Sequence, residues 1–389
     1  MRVLHVTTEY PPIIHGGLGT AVGGLVAASA RAGLNVAVLL VGDGTHSAYA
    51  SIPADDGRSH ARSKQVSARI LVHAIPHAGA ADEAIRFARQ WKPDVVHVHV
   101  FWLAHVAMAV RTATGTPVVY TVHSLDRAEY EIGDGPPECL TQWNTQSALI
   151  DAADRVVALT ADERGLITRY CRTARARVRV VGNGIADSPA ARRALLRDHP
   201  DPVTILYSGR FVDRKGIREL LDAAPHVLEA HPGVRFVLAG GHRHCSGADM
   251  ARHWLTSSGH AWGDRIVFTG WLDQEALSRW YACADVLVVP SWYEPFGMVV
   301  LEGMLYGLPI VACNVGGPRA ILRHGATGLL CEPRDSAALA DALLRIVTDR
   351  PLRARLGHNA ARQVRKHWLH ERVVPRMAAV YREVVQQRH

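Results

Sequence analysis

Short runs of apolar residues recur along the chain, and each precedes a longer stretch with the periodicity of an amphipathic helix. This alternation is typical of βαβ units, whose buried parallel strands consist almost entirely of Val, Ile and Leu. In the first half the pattern predicts strands at 3–6, 36–41, 70–75, 94–100, 118–122, 155–159 and 178–181. In the second half it predicts strands at 203–207, 235–239, 265–268, 285–289, 309–312 and 328–330.

Two series of strands indicate two sheets and therefore two domains. Between them lies a polar stretch from 186 to 202 that contains Pro and Arg, and we interpret it as a linker. We predict two doubly wound α/β domains at 1–185 and 203–365, with a ligand cleft where the carboxyl ends of their strands face each other. Residues 372–387 have the pattern of a last amphipathic helix, interrupted near Pro375.

Length and composition exclude several classes of protein. A chain of 389 residues has room for two or three domains, which excludes a small disulfide-stapled scaffold. An apolar fraction of 48% and a charged fraction of 21% are typical of a globular protein and not of a disordered chain. No apolar run approaches the roughly 20 residues that a membrane-spanning helix needs.

The cysteines and the first residues favour a cytoplasmic location. The six cysteines form no Cys-x-x-Cys pair and no disulfide-like cluster, as is typical of reduced thiols. Met1 leads directly into a strand-like run, without the charged and apolar regions of a signal peptide. We therefore expect a cytoplasmic protein whose oligomeric state the sequence leaves open.

The formal net charge of +8 raises the question of an anionic partner. Residues 351–389 hold nine basic and two acidic residues, so this tail alone contributes a net charge of +7. Aromatic residues make up only 6% of the chain, which argues against nucleic acid as the partner. The tail could pack across a hinge or contact an acidic membrane surface.

A glycine pair, Gly16-Gly17, follows the first predicted strand and precedes a helix of small residues. Glycines at such a position let the backbone approach a ligand, and the helix N-terminus favours a phosphate there. The spacing is not Gly-x-Gly-x-x-Gly, which disfavours a nicotinamide-type site. A tight turn that needs glycine explains the pair equally well.

Cations follow the first strand of the second predicted domain. Arg210 and Lys215 lie in the stretch between this strand and the next helix, where they could neutralise a diphosphate. A solvated basic loop is the alternative. The chain has only four lysines among its 44 basic residues, so a lysine at this position favours the diphosphate.

The most specific motif follows the predicted strand at 285–289. Glu294 and Glu302 are eight residues apart, about two helical turns, and their carboxylates are suited to accept hydrogen bonds from sugar hydroxyls. The amide groups of Phe296, Gly297 and Met298 at the helix start could meet negative charge. The alternative is a surface helix with ordinary acidic residues, which the surrounding apolar residues disfavour.

Together, the Glu-x7-Glu block, the glycine pair and the Arg-Lys loop resemble the retaining GT-B glycosyltransferases related to glycogen synthase. The resemblance extends from the first strand to Pro333. It implies two Rossmann-like domains, with a C-terminal helix over 366–389 returning to the first domain. It also implies transfer of a hexose-type sugar from a nucleotide-diphosphate sugar, a UDP-sugar above all, to a hydroxyl of a small molecule or saccharide, with retained configuration.

The resemblance assigns the phosphate-binding residues of the donor site. Gly16 and Gly17 would lie against the donor phosphates. Arg210 and Lys215 would bind the diphosphate as it departs, which makes both of them catalytic residues.

The resemblance assigns the sugar and nucleoside contacts as well. Glu302 would hold the ribose and Leu272 would meet the base. Glu294 and His123 would face the transferred sugar as catalytic residues. The backbone of residues 296–298 would contact sugar and phosphate.

The sequence leaves alternatives open for the acceptor and for the reaction type. Bacterial starch-type glycogen synthases carry a lysine where this chain has Ile14, which argues against polymerising glucan, and the residues after His123 resemble those of relatives acting on small sugar phosphates or cyclitols. A GT-B epimerase or phosphorylase and a non-catalytic sugar or nucleotide binder are the competing classes. A phosphorylase would need a lysine for pyridoxal phosphate, and the chain offers no obvious one.

Metal binding is not expected. No Asp-x-Asp occurs in the sequence, so an obligatory divalent cation in the donor site is not predicted. His97 and His99, and separately the run 242–245, combine soft ligands but lack a fourth ligand at suitable spacing. We expect His99 to border the acceptor side of the cleft.

Overall fold

The computed structural model describes residues 1–42, 62–133, 135, 137–195, 202–241 and 265–387. The chain divides into two compact units, one formed by Met1–Ala186 with His370–His389 and one by Asp187–Leu369. Each unit contains one sheet flanked by helices, so the prediction of two doubly wound α/β units is confirmed.

The first unit is built on an eight-stranded sheet among its described residues. Its strands are β1 (Arg2–Thr7), β2 (Asn35–Val41), β3 (Arg62–Ser67), β4 (Ile70–Ile75), β5 (Val95–Val98), β6 (Val118–Val122), β7 (Arg155–Ala158) and β8 (Val178–Val180). Their order is β3-β4-β2-β1-β5-β6-β7-β8, and all are parallel except β3. The winding reverses between β1 and β5, the position at which such sheets bind ligands.

The strand β3 is absent from the predictions. It runs antiparallel to β4 at the edge of the sheet. Its sequence, Arg-Ser-Lys-Gln-Val-Ser, contains a single apolar residue. Edge strands are often polar, and a search for apolar runs therefore misses them.

Seven α-helices of the first unit lie in the described residues. They are α1 (Gly17–Arg31), α2 (Ala80–Trp91), α3 (Ala104–Thr114), α4 (Asp126–Glu131), α5 (Glu138–Ala152), α6 (Ala161–Tyr170) and, from the end of the chain, α14 (His370–Gln386). Within the described residues, no helix of either unit is long and apolar enough to cross a membrane.

The last helix, α14, packs against α1. A Cβ atom on Gly24 would lie 2.0 Å from Nε2 of His370, so only glycine allows this approach. Contrary to the prediction, α14 is continuous through Pro375. This proline lies near the helix start and removes only one intrahelical hydrogen bond, and the buried face that includes Tyr381 holds the helix in place.

Among its described residues, the second unit has a six-stranded sheet in which all strands are parallel. Its strands are β9 (Val203–Gly209), β10 (Val234–Gly240), β11 (Ile266–Gly270), β12 (Val286–Val289), β13 (Ile310–Cys313) and β14 (Gly328–Cys331). The order β11-β10-β9-β12-β13-β14 reverses its winding between β9 and β12. The ligand crevice of this unit is therefore expected where β9 and β12 end.

Most of the described helices of the second unit follow one of its strands, and several begin at an aspartate. They are α7 (Pro189–Ala194), α8 (Ile217–Ala230), α9 (Gln274–Cys283), α10 (Met298–Leu305), α11 (Gly316–Ile321), α12 (Ser336–Thr348) and α13 (Arg350–His367). The side chains of Asp273, Asp335 and Asp349 accept hydrogen bonds from backbone N–H groups in the first turns of α9, α12 and α13. Such caps satisfy amides that a helix start would leave unpaired.

The stretch 186–202 contains α7, although the sequence pattern indicates a linker. Ser188 caps this helix by accepting a hydrogen bond from the backbone of Ala191. Asp187 contacts Arg365 of α13, with 3.3 Å between oxygen and nitrogen. Six residues are too few for periodicity to reveal a helix, and the contact with Arg365 comes from a distant part of the chain.

Candidate functional site

In the second unit, the loop after β9 reaches the end of β12. It contains Arg210 and a 3₁₀ turn at Asp213–Lys215, followed by Gly216. Gly216 has a φ of +68°, and a Cβ atom there would lie 1.9 Å from the carbonyl oxygen of Pro290. Glycine is therefore required where these two loops meet at the switch point of the sheet.

Lys215 and Glu294 meet across these two loops. The Nζ atom of Lys215 contacts Oε2 of Glu294, and their side chains are only 19% and 10% exposed. Burial lowers the pKa of Lys215, the neighbouring Arg214 and Arg210 lower it further, and Glu294 opposes this shift. A solvated basic loop would not bury its lysine, so this alternative is wrong.

Two arginines of the loop after β9 differ in their surroundings. Arg210 is exposed, and its backbone oxygen accepts a hydrogen bond of 2.8 Å from the Tyr207 hydroxyl. Arg214, which the sequence analysis did not select, is 6% exposed, and its backbone oxygen accepts from Trp292 N at 2.8 Å. Arg214 contributes positive potential beside Lys215, whereas the Arg210 side chain is accessible to a ligand.

The backbone between Glu294 and Met298 is held by a second glycine pair. Gly317 N donates a hydrogen bond of 2.8 Å to Glu294 O. A Cβ atom on Gly317 would lie 1.7 Å from Phe296 O, and one on Gly316 would lie 2.2 Å from Glu294 O. Gly316-Gly317 follows β13 as Gly16-Gly17 follows β1, so the strand-glycine-helix pattern was a signal that could have revealed it.

Gly297 and Met298 form the start of α10. Gly297 precedes the helix with a φ of +87°, and Met298 is its first residue. The N-terminal amides of α10 therefore lie directly after the Glu294 loop, with the positive end of the helix dipole. Phe296 is buried and packs edge-to-face on Trp368, with 5.5 Å between ring centres, so it anchors the loop.

Glu302 lies within α10 and has a buried partner. The Tyr281 hydroxyl donates a hydrogen bond of 2.7 Å to its Oε2, and Tyr281 stacks on Tyr306. Burial raises the pKa of Glu302, which the Tyr281 hydrogen bond opposes. Tyr281 was not predicted as a site residue, because an aromatic residue on the buried face of a helix indicates only core packing. Leu272 is partly exposed, two residues after β11.

In the first unit, Gly17 begins α1 and Gly16 precedes it. Gly16 has extended backbone, and nothing lies within 4 Å of the position of a Cβ atom. A turn that requires glycine therefore does not explain Gly16. The open space beside it is compatible with a ligand close to the backbone.

Glu9, which the sequence analysis missed, caps the same helix. Its Oε2 atom accepts hydrogen bonds from His15 N at 2.8 Å and from Gly19 N at 3.2 Å. One carboxylate thus already satisfies an N-terminal amide of α1. No local motif marks Glu9, because it lies ten residues before Gly19.

His123 follows β6 and is linked to other histidines. Its Nε2 lies 3.2 Å from Nδ1 of His99, and Nε2 of His99 lies 2.9 Å from Nδ1 of His5. Burial lowers the pKa of His5 to about 3 and of His123 to about 4. Burial and neighbouring histidines hold the pKa of His97 and His99 well below the usual value. All four rings are therefore neutral near pH 7.

The histidines that the sequence analysis weighed as metal ligands are used differently. The ring nitrogens of His97 each have a partner at 2.7 Å, the Tyr381 hydroxyl and the Thr121 hydroxyl. Single nitrogens of His5, His97 and His99 do lie within 4.8 Å of one another. The run 242–245 lies outside the described residues.

Comparisons with known proteins match both units. A family model described as glycosyl transferases group 1 matches residues 189–363, and one described as Glycosyltransferase Family 4 matches residues 15–189. The chain is 33% identical over 382 residues to glycogen synthase of Mycobacterium tuberculosis, an alignment that covers 93% of this chain and 90% of the relative.

Solved structures resemble the chain over its whole length. Sucrose-phosphate synthase from Thermosynechococcus elongatus matches with a TM-score of 0.79 and 25% identity, over all of both chains. HepE from Anabaena, in complex with UDP-glucose, matches with a TM-score of 0.75 over 98% of this chain and all of HepE. At 19% identity the likeness to HepE is one of fold.

Proposed function

Since the chain belongs to the group 1 glycosyltransferases of the GT-B fold, in the family that includes glycogen synthase, we propose that it is a retaining hexosyltransferase. The resemblance predicted from the motifs is confirmed for family and fold. The proposed donor is a nucleotide-diphosphate sugar, with UDP as its nucleotide. The proposed acceptor is a hydroxyl group of a small molecule or saccharide.

One observation carries this proposal, the contact between Lys215 and Glu294. It joins the loops after β9 and β12, where a doubly wound sheet binds its ligand. A buried cation suits the leaving diphosphate, and the carboxylate beside it suits the hydroxyls of the transferred sugar. A nucleotide-diphosphate sugar presents both chemical groups next to each other.

In the proposed reaction, the bond between the anomeric carbon and the diphosphate oxygen breaks, and its electron pair stays on that oxygen. Lys215, Arg210 and the first amides of α10 would stabilise the growing negative charge. The acceptor hydroxyl forms the new bond on the same face of the sugar, and its proton passes to the leaving phosphate. Lys215 would then exchange its carboxylate partner for the diphosphate.

The proposal names no obligatory metal ion, because the cations and the helix amides supply the positive charge. It names Glu302, oriented by Tyr281, as the ribose ligand. Leu272 is proposed to contact the base, and Gly16 and Gly17 the donor phosphates. The family resemblance supports these four assignments and the retained configuration.

A panel of sugar nucleotides tests the proposed function. We expect UDP to raise the melting temperature more than GDP, ADP or TDP, because a ligand stabilises the folded state that binds it. We also expect a UDP-hexose to yield UDP and a glycoside of retained configuration when acceptor sugars and cyclitols are supplied. A 2-epimerised sugar product would indicate an epimerase, and binding without nucleotide release would indicate a non-catalytic binder.

We also propose that the basic tail, through the part of it that lies in α13, provides a peripheral contact with an anionic membrane. Its charge is shared between the two units, since α13 and α14 belong to different ones. In the second unit a pocket of about 360 Å³ is lined by Arg323, Arg362, Lys366 and His367, and no acidic residue lines it in the described chain. Phosphate headgroups fit such a pocket by charge.

Vesicle sedimentation tests this contact. The double variant Arg362→Gln with Lys366→Gln should weaken binding to phosphatidylglycerol vesicles about 30-fold, since each basic residue contributes on the order of 1 kcal/mol near an anionic surface. The variant Arg372→Gln with Arg382→Gln removes the same charge from exposed positions of α14 and should bind like the parent chain. Equal losses in both variants, or equal binding to phosphatidylcholine, would rule out a specific contact.

A further inference from the structure

A buried polar network crosses the first sheet on one face. His5 of β1 lies opposite His97 of β5 in the parallel register. His99 follows β5, and all three side chains are at most 3% exposed. Burying three imidazoles is costly unless their nitrogens form hydrogen bonds, so the pattern of those bonds needs an explanation.

The hydrogen bonds separate His97 from a linear chain of rings. Both nitrogens of His97 bond to hydroxyl groups, which can donate or accept and so impose no tautomer. The other contacts run from His5 through His99 to His123, with nitrogen-nitrogen distances of 2.9 and 3.2 Å. In a neutral imidazole one nitrogen donates and the other accepts, so every ring in this chain must point its proton the same way.

The direction is determined at His5, the buried end of this series of hydrogen-bonded rings. Nε2 of His5 is buried and has no hydrogen-bond partner in the part of the chain that the structure describes. If it carried the proton, a buried N–H group would be left unpaired. Among buried backbone groups an unpaired N–H is rarer than an unpaired acceptor, and we apply the same rule to this ring. The proton of His5 therefore lies on Nδ1 and is donated to Nε2 of His99. His99 then carries its own proton on Nδ1 and donates it to Nε2 of His123.

We propose that His5 and His99 are positioning residues that hold His123 in the Nδ1–H tautomer, so that it presents an N–H donor to an oxygen of the transferred sugar. The proposal rests on the proposed function for the presence of that sugar. Among the described residues, the contact with His99 is the one hydrogen bond of the His123 ring. Nδ1 of His123 is thus available to a ligand. If it carries the proton, it can donate a hydrogen bond to a hydroxyl oxygen of the sugar.

The tautomer can be measured without any enzyme activity. In the full chain labelled with ¹⁵N-histidine, we expect the His123 signals, assigned by their loss in His123→Asn, to show protonated Nδ1 and bare Nε2 near pH 7. The substitution His99→Leu removes the group that donates to Nε2 of His123, so the Nε2–H tautomer of His123 should become populated. His99→Asn places an amide near the position of Nδ1, and its NH2 group can donate to Nε2 of His123, so the parent tautomer should be populated again. Protonated Nε2 in the parent chain would overturn the proposal.

Kinetics then test the consequence for sugar transfer. We expect His99→Leu to lower kcat about tenfold, the effect of one misdirected hydrogen bond, while the affinity for UDP alone is unchanged. His99→Asn should recover most of the loss, and His105→Asn, at an exposed position of α3, should resemble the parent. An equal loss in His99→Leu and His99→Asn, or weaker UDP binding in both, would mean a merely structural role.

A metal ion held by His5, His97 and His99 is the competing explanation, since their nitrogens lie within 4.8 Å of one another. A bound ion would consume the lone pairs that the chain of hydrogen bonds uses. We titrate the parent chain and the His97→Asn variant with Zn²⁺ and follow binding by calorimetry. We expect the parent chain to show no stoichiometric Zn²⁺ binding that the variant lacks. Such binding would overturn the proposal. If the protein transferred no sugar at all, the proposed function would fail, but the tautomer measurement would still test the positioning role of His5 and His99.

Discussion

Replacing Lys215 by alanine should lower kcat by about 10²–10³, the typical effect of removing one preorganised group that stabilises charge in a transition state. The side chain is the buried cation of the proposed donor site, and it contacts Glu294 where a leaving diphosphate would accumulate charge. Steady-state transfer from a UDP-hexose measures the change. Activity close to that of the parent chain would contradict the proposed role in binding the diphosphate.

A matched variant separates this effect from a general loss of charge. Arg218→Ala removes one positive charge from α8, three residues beyond Lys215, where the side chain is 75% exposed. It should keep nearly full activity. Because Lys215→Ala also leaves the Glu294 carboxylate buried without its cation, Lys215→Ala with Glu294→Gln should regain thermal stability but not activity. Recovery of activity in the double variant would show that Lys215 acts only on the fold.

Replacing Gly317 by alanine should reduce kcat/KM about 100-fold while leaving the second unit folded. The added methyl group would lie 1.7 Å from Phe296 O, so the backbone of the Glu294 loop must move. A displacement of about 1 Å at a reacting centre can cost about 100-fold in rate. Transfer kinetics and the melting temperature, measured on the same preparation, distinguish a displaced loop from an unfolded chain.

Gly165→Ala is the control for this substitution. Gly165 lies inside α6, and nothing is within 4 Å of the position that an added methyl group would take. Alanine in a helix interior stabilises by up to about 1 kcal/mol relative to glycine, so this variant should melt slightly higher and remain active. Normal activity in Gly317→Ala would mean that the loop is not positioned by close contact with the second glycine pair.

The fold was largely predictable because parallel strands buried on both faces are nearly continuous runs of apolar residues. Every predicted strand is present, with ends that differ by at most two residues. The polar edge strand β3 and the short helix α7 lack such a signal and were missed. The continuity of α14 through Pro375 was also missed, since it depends on packing against α1.

The candidate site was predictable where its chemistry follows a strand end. Lys215 was selected as a rare lysine in a basic loop after a predicted strand, and Glu294 as the first carboxylate of the Glu-x7-Glu block after another. These strands form the two sides of the switch point, and the structure brings the two side chains into contact. Tyr281 and Glu9 were missed because each acts on a residue that lies ten or more positions away. No local sequence pattern predicts such a contact.

By itself, the sequence determined the class of fold, the family and the loops that carry charged groups, because periodicity, strand ends and the Glu-x7-Glu spacing are local properties. Only the tertiary structure decided which charges are paired, which rings are neutral and which ring nitrogens lie within hydrogen-bond distance of each other. Those properties depend on burial and on partners from distant segments, such as His5 beside His99 and Gly317 beside Glu294. The chemistry that each side chain offers is therefore decided by packing.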